Sequence, residues 1–446
     1  MTGMQRPIVL ASGGTGGHIF PAQALSAELQ ARGYRLALIA DRRADAYNGA
    51  LGSIEAYRIQ AAGLIGRSLS ARISAVFRLT GGYFQARRHL KALRPLAVVG
   101  FGSYPSAPTM LAATHLKIKT VIHEQNAILG RANRMLASRA TRIATAFRSV
   151  ANMRETDRDK AVWTGNPVRP AVVAMRDRPY PELTPDGPIN ILIFGGSQGA
   201  QAFDEVVPAA LAALSEELRR RLRVVQQCRP EGLETARATY QSADIAAETA
   251  PFFDDLPARI AAAHLMICRS GASTIAELAA TGRPAIMVPF PHATDDHQKA
   301  NAEGLCDAGG GWMIEQEMFT PVKLAERLSA LLSLGPSLAT AARCAARMGA
   351  PEAAGRLADL VVGVIEDNGD GALDVVRFHD GEIQYGTYRP AGRMTAVRAG
   401  TGRSTEVTYG PATEEGESSK PGAPSDAHDL ARADVVKTLH TVDHVS

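Results

Sequence analysis

Several short clusters in this 446-residue chain have residue types and spacing suited to work on an anionic ligand. Gly13-Gly14-Thr15-Gly16-Gly17-His18 follows the apolar run Ile8 to Ser12 and precedes a helical pattern from Phe20. A glycine turn between strand and helix exposes backbone N–H groups and the positive end of a helix dipole, which suits a phosphate or another oxyanion. His18 at the rim adds a side chain that exchanges a proton near neutral pH. The turn lacks the Gly-Lys-Ser/Thr of a Walker loop, and Ile19 stands where a dinucleotide fingerprint needs its third glycine. A tight turn with no ligand is the structural alternative.

Gly195-Gly196-Ser197-Gln198-Gly199 repeats the strand, glycine turn and helix plan. Its spacing also matches the nucleophile elbow of serine hydrolases, with Asp254 or Asp295 and His297 able to complete a triad. The other reading makes Ser197 and its neighbouring N–H groups ligands of a diphosphate, with no nucleophile needed. Ser270-Gly271-Ala272-Ser273-Thr274-Ile275-Ala276-Glu277 opens a further helix, where Thr274 and Glu277 have capping-box spacing. A carboxylate one turn into such a helix is equally suited to accept both hydroxyls of a ribose. Gln298, in the helix start His297 to Asn301, carries the donor and acceptor that reading a sugar hydroxyl requires. Asp157-Arg158-Asp159 has a metal-like Asp-x-Asp pattern but reads as a solvated charged loop, so no metal site is expected. Asp367 to Gly371 superficially suggests a calcium loop, which Arg377 in the place of the bidentate glutamate argues against.

These turns need strands behind them and helices ahead. Ile8 to Ser12, Arg35 to Asp41, Ala97 to Phe101, Thr120 to Glu124 and Arg142 to Phe147 alternate with helical patterns, as do Ile189 to Phe194, Arg223 to Cys228, Leu265 to Arg269 and Pro284 to Phe290. That is βαβ order twice over, the mark of an α/β chain with parallel sheets. Between the two series lie Pro167, Pro170, Pro179, Pro181, Pro185 and Pro188, a density that interrupts regular structure. Two doubly wound lobes are therefore expected, facing a cleft at the carboxyl ends of their strands.

Composition narrows the class. Cys228, Cys268, Cys306 and Cys344 form no CxxC pair, which fits a reducing compartment, and no apolar run reaches the roughly 18 residues of a membrane span. Residues 366–446 carry 8 Lys/Arg against 14 Asp/Glu, so the rest of the chain is strongly basic, and no acidic residue occurs between Glu55 and Glu124. Within that stretch Leu64 to Arg94 mixes Ile65, Leu69, Ile73, Val76, Phe77 and Leu79 with Arg67, Arg72, Arg78, Arg87, Arg88, Lys91 and Arg94. Apolar and cationic residues together suit an anionic membrane surface, although an ordinary basic amphipathic helix has the same pattern. From Glu366 onward Gly, Ser, Pro, Thr and charge dominate, and the tail reads as mostly disordered.

Taken in order, Gly13 to His18, His123-Glu124-Gln125-Asn126, Gly165-Asn166-Pro167-Val168-Arg169, Gly195 to Ala200, Ser270 to Glu277 and His297-Gln298 resemble the MurG family, glycosyltransferase family 28. The resemblance runs from about Ile8 to about Ile365. It implies a GT-B fold of two Rossmann-like domains and an inverting transfer of N-acetylglucosamine from UDP-N-acetylglucosamine to lipid I, the undecaprenyl-diphosphate acceptor, yielding lipid II for peptidoglycan. By resemblance, 1–167 forms the acceptor- and membrane-binding domain, 168–351 the donor domain, 352–365 a helix packing back on the first domain, and 366–446 a low-complexity tail. Thr15, Gly16, Gly17, Asn126, Arg169, Ser197, Phe253, Ala272, Ser273, Thr274, Ile275, Ala276, Glu277 and Gln298 would contact the donor. Gly13, Gly14, Gly102, Ser103 and Tyr104 would meet the acceptor, Ser103 standing where the family commonly has glycine. His18 is the preferred base and Glu124 its rival. The resemblance further implies no cofactor, no nucleic acid, an anionic membrane surface on the cytoplasmic face of the inner membrane, and other cell-wall or division proteins as partners. A UDP-sugar 2-epimerase on the same fold remains an alternative, as does the serine hydrolase.

Overall fold

The computed structural model describes residues 6–13, 16–41, 51–61, 69–196, 199–333 and 335–366 and four short strands beyond them; for 16, 69–76, 335 and those four strands it describes the backbone only. Residues 1–364 form one compact unit and 365–446 another.

The first lobe runs β1 (Ile8–Ala11), α1 (Gly16–Ala31), β2 (Leu36–Ala40), β3 (Glu55–Arg58), α2 (Leu69–Leu93), β4 (Ala97–Gly100), α3 (Ser103–His115), β5 (Lys119–Glu124), α4 (Arg131–Leu136), β6 (Arg142–Thr145), α5 (Glu155–Arg158) and β7 (Ala161–Trp163). Its parallel sheet has the order β3-β2-β1-β4-β5-β6-β7, so the chain reverses direction across the sheet between β1 and β4. At such a switch point the loops after both strands diverge and leave a crevice. The turn after β1 and the Gly102 turn after β4 are those two loops.

A short α6 (Pro170–Val173) interrupts the proline-rich connection. The second lobe follows with β8 (Ile189–Phe194), α7 (Gln201–Ala212), α8 (Glu216–Arg221), β9 (Leu222–Gln227), α9 (Leu233–Ser242), β10 (Ala246–Ala250), α10 (Leu256–Ala262), β11 (Leu265–Cys268), α11 (Ala272–Thr281), β12 (Ala285–Met287), α12 (His297–Asp307), β13 (Gly311–Met313), α13 (Pro321–Ser333), α14 (Gly335–Met348) and α15 (Ala353–Glu366). Its order, β10-β9-β8-β11-β12-β13, places a second switch point between β8 and β11. Ile191, Ile193, Val224 and Ile267 pack one face of this sheet under Phe203, Val207, Leu324 and Leu328, while Leu192, Met266 and Met287 pack the other under Ile275, Leu278 and Leu305. Burying each such side chain stabilises the fold by about 1.5–3 kcal/mol.

The strands expected from sequence are all present. Those not expected, β3, β7, β10 and β13, are the edge strands of the two sheets. Glu55 to Arg58 and Ala246 to Ala250 are largely exposed, so they lack the unbroken apolar run that marks a strand buried on both faces. Asp157, expected in a solvated loop, is instead buried in α5, where its carboxylate accepts a hydrogen bond from Arg154 Nε at 2.9 Å and faces Lys160 Nζ at 3.6 Å. Local charge density had concealed this burial, which the two cations compensate. In the second unit, Arg377–His379, Glu382–Arg389, Arg393–Ala399 and Ser404–Thr405 pair as an antiparallel sheet within the tail that reads as mostly disordered. Strand residues such as Ile383, Tyr385 and Tyr388 are scattered too thinly among polar ones to have signalled it. The calcium-like run 367–371 lies outside the described residues.

After the first lobe the chain passes through Gly165, whose φ of +80° is left-handed and whose α-carbon lies against the α14–α15 corner. The α15 helix in turn touches the first lobe, with Asp359 receiving Arg32 Nη1 at 2.6 Å and Arg356 stacked 4.8 Å over Trp163. A Cβ on Gly165 would stand 2.5 Å from Ala350 Cβ. Gly165→Ala is therefore expected to lose about 2–4 kcal/mol of stability, from left-handed strain plus overpacking, read as a lowered urea midpoint.

Candidate active site

At the first switch point, His18 in the opening turn of α1 reaches over to the loop after β4. Its Nδ1 lies 2.8 Å from Phe101 O and 3.1 Å from Gln125 Oε1. A carbonyl only accepts, so Nδ1 carries the proton and Nε2 keeps a free lone pair. Burial pushes the imidazole below its ordinary pKa, with Glu124 and the Gln125 and Phe101 bonds pulling the other way. The shift favours the neutral form of the ring.

His123 stands behind it, fully buried. Its Nε2–H donates to Gly165 O at 3.3 Å, and its Nδ1 accepts from Gln125 Nε2 at 3.0 Å. Gln125 Nε2 also donates to Phe101 O at 3.0 Å, which turns its Oε1 toward His18. Gly102 takes φ +73°, a backbone conformation that glycine adopts without strain, and a Cβ there would meet Asn133 Nδ2 at 3.3 Å. Ser103 adopts φ +59°, the conformation that a glycine takes without strain, and its Oγ donates to Gly13 O at 3.2 Å. That bond ties the two glycine-bearing loops together and offsets part of the left-handed cost.

Glu124 ends β5 with only 1% of its surface exposed. Oε1 accepts Asn126 N at 3.0 Å and Asn126 Nδ2 at 3.2 Å, while Oε2 accepts Gly130 N at 2.8 Å and Asn133 Nδ2 at 2.9 Å. A carboxylate with both oxygens doubly occupied organises a loop and has no lone pair conveniently free for a substrate proton. The two candidate bases differ in this respect: among the described residues His18 keeps Nε2 unoccupied, whereas each Glu124 oxygen accepts two hydrogen bonds.

Across the cleft, Gly271 is the N-cap of α11 and provides no side-chain cap, so the capping-box alternative for Thr274 and Glu277 is not what forms. Glu277 is buried and holds Arg169 in a two-pronged pair, Nε to Oε1 at 2.8 Å and Nη2 to Oε2 at 3.0 Å. Burial raises the Glu277 pKa and Arg169 opposes the shift. The same guanidinium lies 5.0 Å from the ring of Phe20 on α1, so it bridges the lobes within reach of the His18 helix. Ser270 Oγ and Ser273 Oγ at the mouth of α11 are buried with no partner among the described residues. Phe253 is buried beneath Arg259, and Gln298 Oε1 accepts Phe290 N at 2.9 Å.

The loop before α12 holds Asp295 and Asp296 at φ +54° and +53°. Such strain costs about 1 kcal/mol per residue. Asp295 spans to the first lobe, receiving Arg131 Nη2 at 2.7 Å and Arg134 Nη2 at 2.9 Å, and these cations hold its carboxyl below the usual range. His297 Nδ1 donates to Thr294 O at 2.7 Å. Asp295 and His297 consequently do not pair as the acid and histidine of a hydrolase triad.

The N-terminal domain of glycosyltransferase family 28 matches residues 8–145, and the C-terminal domain of the same family matches residues 190–357. The chain belongs to glycosyltransferase family 28. A UDP-N-acetylglucosamine--N-acetylmuramyl-(pentapeptide) pyrophosphoryl-undecaprenol N-acetylglucosamine transferase of Rhodospirillum centenum is 55% identical over 357 residues, covering 80% of this chain and 94% of that protein. The enzyme of the same description from Paramagnetospirillum magneticum is 52% identical over 81% of this chain and 98% of its own length. Among solved structures, that of Acinetobacter baumannii MurG superposes with a TM-score of 0.65 at 32% identity, covering 80% of this chain and 99% of that one.

In this family 28 chain the first-lobe residues expected at the site, His18, Gly102, Ser103, Glu124 and Asn126, come together through the contacts above, and Tyr104 interacts with Arg131. Arg169 and Glu277 meet each other. Gly14, Thr15 and Ser197 lie outside the described residues. Among the described residues no group of three or more His, Cys, Asp or Glu side chains could hold a metal. The four cysteines are free. Asn301, Gln125 and the Arg131–Arg134 pair were not expected at the site. Asn301 and Gln125 belong to motifs that the sequence does mark, but their partners are distant in the chain.

His123 gives this site a pH signature. Burial lowers its pKa to about 4, whereas the unfolded residue titrates near 6.5. Between these values the unfolded chain binds the extra proton, so the contribution of His123 is complete above about pH 6.5 and is lost as pH falls toward 4. Urea midpoints measured across this window should decline with acid, and His123→Asn should flatten the decline.

Proposed function

We propose that this chain transfers N-acetylglucosamine from UDP to the muramyl 4-hydroxyl of an undecaprenyl-pyrophosphoryl-pentapeptide acceptor, inverting the anomeric carbon. The observation that carries the assignment is 55% identity, over 80% of the chain and across both lobes, to a transferase of that description. Residues 1–167 would receive the acceptor, 168–351 the donor, and 352–365 would brace the first lobe.

In the mechanism, His18 Nε2 takes the proton of the acceptor hydroxyl as its oxygen forms the new bond to the anomeric carbon. The bond from that carbon to the diphosphate oxygen breaks on the opposite face, and its electron pair leaves with UDP. Phe101 O holds the Nδ1 proton and stabilises the imidazolium that results. N–H groups at the start of α11 and the Arg169 guanidinium receive the departing charge. On donor binding, before transfer, Glu277 releases Arg169 to the diphosphate and turns to the ribose hydroxyls. Gly13, Gly102, Ser103 and Tyr104 would meet the acceptor, and Asn126 and Gln298 the donor sugar.

A lipid-linked acceptor calls for a membrane-facing surface. Among the described residues no helix is long and apolar enough to cross a membrane. The α2 helix offers a peripheral contact instead: Phe77 and Phe84, two turns apart, are 73% and 63% exposed, beside the exposed cations Arg78, Arg88 and Lys91. Residues 62–68 of the basic stretch, and the side chains of 69–76, lie outside the described residues. We place this surface against anionic lipid on the cytoplasmic face.

His18→Ala is expected to lower kcat by about 10²–10⁴-fold, with KM for the donor nearly unchanged. In the wild type, activity should fall as pH drops through a value below the ordinary 6.5, because the base works unprotonated. Near-normal kcat in His18→Ala, with the loss appearing in Glu124→Gln and no loosening of the fold, would transfer the role to Glu124. Vesicle co-sedimentation tests the surface: binding should favour anionic over neutral vesicles, weaken with salt, and drop when Phe77 and Phe84 are both changed to Ser. Equal binding to both vesicle types would refute the electrostatic part.

A further inference from the structure

Asn301 lies one turn into α12, in the second lobe, with none of its surface exposed. Its Oδ1 accepts Ala127 N at 2.8 Å, and its Nδ2 donates to Asn126 Oδ1 and to Ser270 O, both at 3.1 Å. Ala127 N–H can only donate and Ser270 O can only accept, so this amide has one permitted orientation.

Asn126 inherits that order. Its Oδ1 must face the Asn301 NH₂, and its own Nδ2 must face Glu124 Oε1 at 3.2 Å, which as a carboxylate oxygen accepts. Held at both ends, the half-buried Asn126 amide retains one N–H and one lone pair in a fixed sense. Glu124 alone would keep the NH₂ side toward its carboxylate but let the amide swing about that one bond, so a fixed sugar-facing geometry needs the second hold from Asn301.

We propose that Asn301 is a positioning residue for the donor sugar: from the second lobe it orients Asn126 in the first, so sugar discrimination requires docked lobes. This rests on the assignment of Asn126 to the donor sugar. A second link holds α12 in place. Asp295, on the loop leading into it, binds Arg131 and Arg134, but these side chains are 60% and 41% exposed and their pairing is screened by solvent and salt. Buried Asn301, with directional bonds to both lobes, is the tie that specifies orientation.

A mutant cycle on the full chain tests this, using Asn301→Ala, Asn126→Ala and the double variant. The readouts are Kd for UDP, Kd for UDP-N-acetylglucosamine, and the ratio of kcat/KM for UDP-N-acetylglucosamine to that for UDP-glucose. Asn301→Ala is expected to weaken binding of the sugar nucleotide about tenfold, to erode the ratio by a similar factor, and to leave UDP binding within about twofold. Added to Asn126→Ala, it should change none of the three by more than about twofold. Equal losses for UDP and the sugar nucleotide, or effects that add fully in the double variant, overturn the proposal and leave Asn126 its role. If Asn126→Ala itself changes neither sugar affinity nor the ratio, its assignment fails and the proposal with it. Should Asn301→Ala not fold, Asn301→Ser carries the same cycle with a side chain small enough for the site.

Discussion

A buried carboxylate with four N–H donors underlies the site. Glu124 cannot be desolvated as a bare anion, since burying an uncompensated charge is prohibitive, and the loop that follows folds back to supply its partners. The backbone N–H groups of Asn126 and Gly130 and the side chains of Asn126 and Asn133 converge on it. That closure sets the path of the chain between β5 and α4, and with it the placement of Asn126 and of the Arg131 and Arg134 side chains that reach the second lobe. The same interactions that give Glu124 its structural role occupy both of its oxygens. His18, whose Nε2 is left free by the bond at Nδ1, is the side chain with a lone pair to offer.

A site built from residues of both lobes adds a further constraint, that the lobes be held in register. Contacts of different character do this. Arg169 joins Glu277 to the surface of α1, Asp295 clasps two first-lobe arginines, and Asn301 hydrogen-bonds residues of both lobes. The exposed ion pairs contribute on the order of 0–1 kcal/mol each and loosen readily. The buried amide and the buried end of the Arg169–Glu277 pair are selective about geometry. Arg169 and Glu277 also neutralise each other, which limits the cost of keeping a buried carboxylate in the cleft.

Much of this organisation was legible in the sequence because it resides in local patterns. Central strands such as β1, β5, β8 and β11 are buried on both faces and read as apolar runs, and the glycine turns after β1 and β8 announce themselves by composition. Edge strands were not legible, because exposure gives Glu55 to Arg58 and Ala246 to Ala250 the composition of loops. Within the site, His18 could be preferred over Glu124 from sequence, but the hydrogen bonds that occupy the Glu124 oxygens are visible only in the folded loop. Asn301 reads as one more polar residue on a helix; its significance depends on Asn126, 175 positions away in the chain. Asp157 was misread for the same reason, as burial cannot be inferred from a charged neighbourhood.

The most direct test is a crystal structure of the chain with UDP-N-acetylglucosamine and an acceptor analogue that cannot react further. The account predicts the acceptor hydroxyl within about 3 Å of His18 Nε2, with Glu124 still bound by the N–H groups of its own loop. An acceptor hydroxyl on a Glu124 oxygen freed from that loop, with His18 turned away, would contradict it.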